Sequence, residues 1–114
     1  MSKKMDLSLV FYYGNHPIRV GKCGDDVIFS LYDLMNVFDS TSNVTILTRR
    51  LPEETFFRGT SVDLEGSPCN TTSIAVTYEG ACLALPRMKR VDLYDVLVLM
   101  RWMKTVKADK IKGA

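Results

Sequence analysis

The segment Leu93 to Lys107 constrains this chain most. It reads as one helix, and its apolar residues Leu93, Val96, Leu97, Val98, Leu99, Met100, Trp102, Met103 and Val106 cover more than one stripe of the surface. A helix that is apolar on several sides needs cover from several directions. In 114 residues that cover has to come from a sheet and shorter helices of the same chain, and from a second copy. The expectation is therefore a homodimer, with Val96, Leu99, Met100 and Met103 in its interface. The longest uninterrupted aliphatic run, Val96 to Met100, is far short of the roughly 18 apolar residues that a membrane span requires. No membrane partner is expected.

Upstream, the pattern changes from helical to pleated. Leu7 to Tyr13 suits a strand, and Ile18-Arg19-Val20 follows after the turn Gly14-Asn15-His16-Pro17, which makes a hairpin. A turn at Lys22 to Asp26 leads into a third strand, Val27-Ile28-Phe29. Ser30 is a good N-cap, Asp33 favours the first-turn amides, and Leu31, Leu34, Met35 and Phe38 recur at helical spacing to about Asp39. Val44, Leu47 and Leu51 mark a second short helix stopped by Pro52. From Pro52 to Thr72 the pattern weakens around Phe56-Phe57 and Val62 and predicts a hairpin with a long, mobile tip. Ser73 to Val76 is a strand, Tyr78 to Leu85 a helix ended by Pro86, and Asp92 opens the closing helix. The fold class is α+β: a small antiparallel sheet with short helices and a longer C-terminal helix, in a single domain over 1–114.

A formal charge of +2 conceals an asymmetry. Residues 87 to 114 hold eight basic and three acidic side chains, and 104–114 form a basic tail. Arg49, Arg50 and Arg58 form a second cluster, with Arg49 and Arg50 away from the apolar face of their helix. Such clusters neutralise phosphates and release counterions. For the tail, the competing reading is a solvated helix end whose lysines suit the macrodipole.

Reactive chemistry is scarce. His16 is the single histidine and lies in a turn, so neither a metal site nor a Ser-His pair is indicated. The hydrolase, metalloprotease and phosphate-loop motifs are absent. Asp25-Asp26 and Glu53-Glu54 are adjacent pairs, which point apart rather than share a proton. Cys82 is the least unlikely nucleophile. The three cysteines Cys23, Cys69 and Cys82 lack the spacing of a disulfide framework or a zinc ribbon and read as reduced thiols. Lys3 and Lys4 before Leu7 to Tyr13 imitate a secretion signal poorly, because Asp6 and Ser8 interrupt the apolar stretch and no small-residue cleavage site follows. A cytoplasmic, non-catalytic protein without cofactors or metal is expected.

Taken in order, Ile18-Arg19-Val20, then Ile28-Phe29 through Asp33-Leu34, then Arg49-Arg50-Leu51-Pro52-Glu53-Glu54, then Val76-Thr77-Tyr78-Glu79-Gly80-Ala81-Cys82-Leu83-Ala84-Leu85, and last Arg101-Trp102-Met103 resemble the N-terminal domain of the BRO family (Bro-N). That domain occurs in phage antirepressors and viral DNA-binding proteins. The match runs from about Leu9 to Met103 and rests on the order and spacing of the motifs. It departs from the family pattern at Ile28, at Thr77-Tyr78 and at Pro86 to Arg90.

The resemblance implies a stand-alone regulator of a phage or mobile genetic element, acting in the host cytoplasm on double-stranded DNA. It also implies that Asp33 braces the first helix, that Gly80 lets strand and helix approach closely, and that Trp102 with Arg101 docks the last helix on the sheet. The expected phosphate contacts are Arg49, Arg50, Arg58, Arg87, Lys89 and Arg90, and Asn43, Thr45 and Thr48 are candidates for base edges. The alternative is an inhibitor, an antirepressor or anti-defence factor that sequesters a host or phage protein without touching DNA.

Overall fold

The computed structural model describes residues 6–24, 26–38, 44–62, 68–88 and 91–106. Strand β1 (Asp6–Tyr13) and strand β2 (His16–Cys23) form the expected hairpin. Tyr13 pairs with His16 across Gly14, whose φ of 62° suits the tight turn. Pro17 thus belongs to β2 rather than to the turn. It sits past the end of the next strand, where its missing N–H removes no ladder bond. Strand β3 (Asp26–Ser30) pairs with β2 after a turn at Gly24, with φ 64°.

Helix α1 (Leu31–Asn36) begins where β3 ends. The Ser30 hydroxyl accepts from the Asp33 amide at 3.4 Å, as a good N-cap should. The helix stops before Asp39, but Phe38 still packs against the core. The Asp33 carboxylate does not serve the first-turn amides. It accepts from the backbone N–H of Arg19 (2.9 Å), from Nε (2.8 Å) and from Nη2 (3.0 Å). On the side of β2 that faces β3, the pairing ends at Val20 with Phe29, and beyond it the carboxylate accepts from the Arg19 amide.

Helix α2 (Val44–Thr48) is one turn shorter than the spacing of Val44, Leu47 and Leu51 predicts. A 3-10 turn (Glu53–Thr55) then leads into strand β4 (Phe56–Val62), which pairs with strand β5 (Pro68–Thr77). A second hairpin is there as expected, but the separately expected strand Ser73 to Val76 is the continuation of its second arm, and the hairpin's tip, 63–67, lies outside the described residues. β5 inserts between β3 and β4, giving one five-stranded antiparallel sheet in the order β1-β2-β3-β5-β4. The sheet curls until its outer strands β1 and β4 approach each other. The phenylalanines of β4 point to opposite faces. Phe57 packs on a small cluster of Leu7, Cys23, Ile28 and Ala75, and Phe56 packs on the main core with Phe29 and Val76.

Helix α3 (Tyr78–Ala84) is capped by Thr77, whose hydroxyl accepts from the Gly80 amide at 3.1 Å, and a 3-10 turn (Leu85–Arg87) ends it at Pro86. Gly80 does permit a close approach, but to the 3-10 turn before β4 and not to the sheet. A Cβ built on Gly80 would fall on the Thr55 carbonyl oxygen. Helix α4 (Leu93–Thr105) is capped by Asp92, which accepts from the Tyr94 amide at 2.9 Å. Trp102 meets Tyr13 edge to face, with ring centroids 5.5 Å apart, so it docks α4 on the hairpin as expected, whereas Arg101 is exposed.

The expected dimer interface needs correction. Val96, Leu99, Met100 and Met103 are all buried inside the single chain, in the main core. The sheet and the other helices cover that side of α4, so these four cannot also face a partner.

Two stability predictions follow from these contacts. Asp33→Ala removes the buried carboxylate that the Arg19 guanidinium and amide share and should lower unfolding free energy by about 3 kcal/mol in urea titration. Adding Arg19→Met should recover only part of that loss, because the backbone N–H still lacks its bond to the carboxylate. Gly80→Ala forces α3 off the Thr55 turn and should cost about 2 kcal/mol by the same measurement, although alanine is ordinarily the better helix former.

Candidate nucleic-acid interface

Three of the predicted phosphate contacts come together. Arg49 and Arg50 follow α2 in a turn held by its own amides, with Arg49 N–H donating to the Ile46 carbonyl (3.4 Å) and Leu51 N–H to the Thr48 carbonyl (3.1 Å). Leu47 and Leu51 are buried on either side, so the two arginines between them are turned outward. Arg87 is presented in the same way. Leu85 and Met88 are buried around it, and the Met88 amide closes the 3-10 turn onto the Leu85 carbonyl at 3.1 Å. All four anchors belong to the main core, so one packed interior sets the positions of both arginine segments.

Ile46, Arg49, Arg50 and Arg87 line a single open groove of about 300 Å³. None of these three arginines pairs with a carboxylate among the described residues. Guanidiniums left without anionic partners offer forked donors suited to phosphate oxygens. Ile46 was not a candidate on sequence, yet it is 58% exposed on this side of α2. An exposed isoleucine two residues before an arginine pair was the available signal.

The other predicted contacts fare differently. Arg58 is exposed on β4, opposite Ile74, and does not line the groove. Thr45 is exposed on α2. Thr48 is not: it is buried, and its hydroxyl donates to the Val44 carbonyl at 2.9 Å. It stabilises the last turn of α2 and cannot read a base edge. Asn43, Lys89 and Arg90 lie outside the described residues.

The one cysteine considered as a nucleophile sits on the exposed side of α3. Partial desolvation raises the Cys82 thiol above its ordinary value, and the charge of Glu79 pushes the same way against a hydrogen bond from the Tyr78 hydroxyl. Tyr78 is raised as well, mainly by desolvation and then by Cys82. A raised thiol holds its proton at neutral pH, the opposite of what an attacking cysteine needs. Among the described residues, no three His, Cys, Asp or Glu side chains gather as a metal site, and no helix is long and apolar enough to cross a membrane.

No protein-family model matches the chain, and neither a curated protein nor a solved structure matches it. Its class is therefore given by its own architecture, a small α+β domain with a five-stranded antiparallel sheet, short helices and a closing helix.

The thiol environment is directly measurable. The pH profile of Cys82 alkylation by iodoacetamide, followed by mass spectrometry, should have its midpoint above that of a free cysteine, and Tyr78→Phe should move it further up by removing the hydrogen bond that opposes the rise.

Proposed function

We propose that this chain is a non-catalytic DNA-binding regulatory domain, Bro-N-like, from an antirepressor-like transcriptional regulator of a phage or mobile genetic element that works in the host cytoplasm. Arg49, Arg50 and Arg87 hold backbone phosphates of duplex DNA. The observation that carries the reading is three arginines, free of carboxylate partners among the described residues, lining one groove. Packing this much positive charge together opposes folding unless an anion relieves it. The Bro-N part of the reading rests on the order and spacing of the sequence motifs from Ile18-Arg19-Val20 to Arg101-Trp102-Met103.

Within this reading Arg58 is a peripheral contact, and Thr45 is the remaining described candidate for a base edge. Phosphate contacts of this kind bind in a salt-dependent, largely sequence-independent way. Sequence preference has to come from Thr45, from Asn43 or from the shape of the DNA.

Fluorescence anisotropy on a labelled mixed-sequence duplex at two salt concentrations tests the proposal. Binding should weaken steeply with salt. Arg87→Gln should reduce the slope of log K against log salt by about 0.9, and Arg49→Glu with Arg50→Glu should abolish binding without lowering the melting temperature, since both side chains are exposed and their mutual repulsion is relieved. A chain that ignores duplex DNA at low salt sinks the proposal. A host or phage protein that co-purifies after nuclease treatment then puts the sequestering inhibitor in its place.

A further inference from the structure

The groove between α2 and the turn after α3 gathers more charge than a duplex backbone brings to so small a space. Each internal phosphodiester carries a single charge, and along one strand these charges advance about 3.4 Å of helix axis per nucleotide while the strand turns away around the duplex. A terminal phosphate carries about two charges and three strong acceptor oxygens, and a di- or triphosphate concentrates more within one short arm. Arg49, Arg50 and Arg87 each hold out a rigid fork of donors, and all three line the one groove without a carboxylate partner among the described residues. Together they complement such an arm better than they complement a single bridging phosphate.

Charge is not the groove's whole lining. The Arg49 amide donates to the Ile46 carbonyl at 3.4 Å, which keeps a helical turn between them and sets Ile46 on the same side as Arg49 and Arg50. Its side chain is 58% exposed and lines the groove with them. To a bare inorganic anion an aliphatic wall offers nothing, since it has no donor. It suits a ligand whose phosphates are joined to a flat, uncharged group that can lie on it, and guanidinium planes take the face of a nucleobase in the same way. The volume of about 300 Å³ falls at the small end of the roughly 300 to 1,000 Å³ of small-molecule sites. A single nucleotide is a ligand of that scale.

We infer that this groove is a site for a free nucleoside di- or triphosphate, with the phosphates among Arg49, Arg50 and Arg87 and the base or ribose against Ile46. The inference shares with the DNA-binding reading the premise that these arginines receive phosphate, but nucleotide binding is measured without DNA. Where both ligands bind, they use the same three guanidiniums and exclude each other, so the free nucleotide lowers the chain's apparent affinity for DNA by mass action.

Isothermal titration calorimetry of the full chain at low salt, with ATP, ADP, AMP and inorganic tripolyphosphate in turn, tests it. ATP should fill one site per chain, and affinity should fall by about tenfold or more from ATP to AMP as phosphates are lost. Arg87→Gln should weaken ATP and tripolyphosphate alike by about tenfold, with Arg49→Gln as a second variant should the first lose its native circular dichroism. Ile46→Ser should weaken ATP by about fivefold and leave tripolyphosphate unchanged, with Ile46→Ala as its substitute on the same condition. A chain that takes up no ATP overturns the inference. So does ATP binding that ignores both Ile46 variants and matches tripolyphosphate, which marks a site for any polyanion. Duplex bound while ATP is ignored removes this inference and leaves the DNA-binding reading standing; ATP bound while duplex is ignored does the reverse. Where both bind, failure of excess ATP to displace the labelled duplex overturns the shared site.

Discussion

The carboxylate of Asp33 joins the first turn of α1 to β2. It receives three donors from Arg19, two from the guanidinium and one from the backbone, and it is almost wholly buried with the guanidinium largely so. A buried charge is tolerated only when it is paired and its lone pairs are filled. The arrangement therefore fixes three things together: where β3 must leave the sheet, the angle at which α1 departs, and the end of the β2 ladder. Ser30 completes the junction by capping α1 with its hydroxyl. The main core, with Ile18, Val20, Phe29, Leu31 and Leu34, closes directly around this corner.

From that corner the remaining architecture is largely a matter of which residues go in. Leu47 and Leu51 on one segment and Leu85 and Met88 on another enter the same interior, and the arginines between them are left outside by the geometry of a tight turn. The positive groove is thus a by-product of core packing on two segments remote in sequence. Charge is held in place by hydrophobic anchors and not by hydrogen bonds among the arginines themselves. Such a site keeps its shape when its charges are altered.

Much of the fold was legible because it is written in local signals. The hairpin around Gly14, the caps Ser30, Thr77 and Asp92, and the stop at Pro86 each depend on a few neighbouring residues. Three features were not legible. Asp33 looked like a helix-start acid because sequence spacing shows its neighbours and not Arg19, which folding brings from another element. On α4 both sides are apolar, so periodicity could not decide which side faces the interior, and Val96, Leu99, Met100 and Met103 were placed outward when they belong to the core. The grouping of Arg87 with Arg49 and Arg50 was likewise hidden, since it depends on how α2 and the turn after α3 pack.

The curl of the sheet has its own bearing on how the molecule behaves in a crowd. Outermost strands normally offer a row of unpaired amides and carbonyls that a foreign strand can zip onto. Here β1 and β4, at the two ends of the strand order, approach each other without pairing, so each edge is flanked by the other and an incoming strand finds less open room along it. Runaway, fibre-like growth through the sheet is thereby discouraged, and encounters with other molecules are left to side chains displayed on helices and turns.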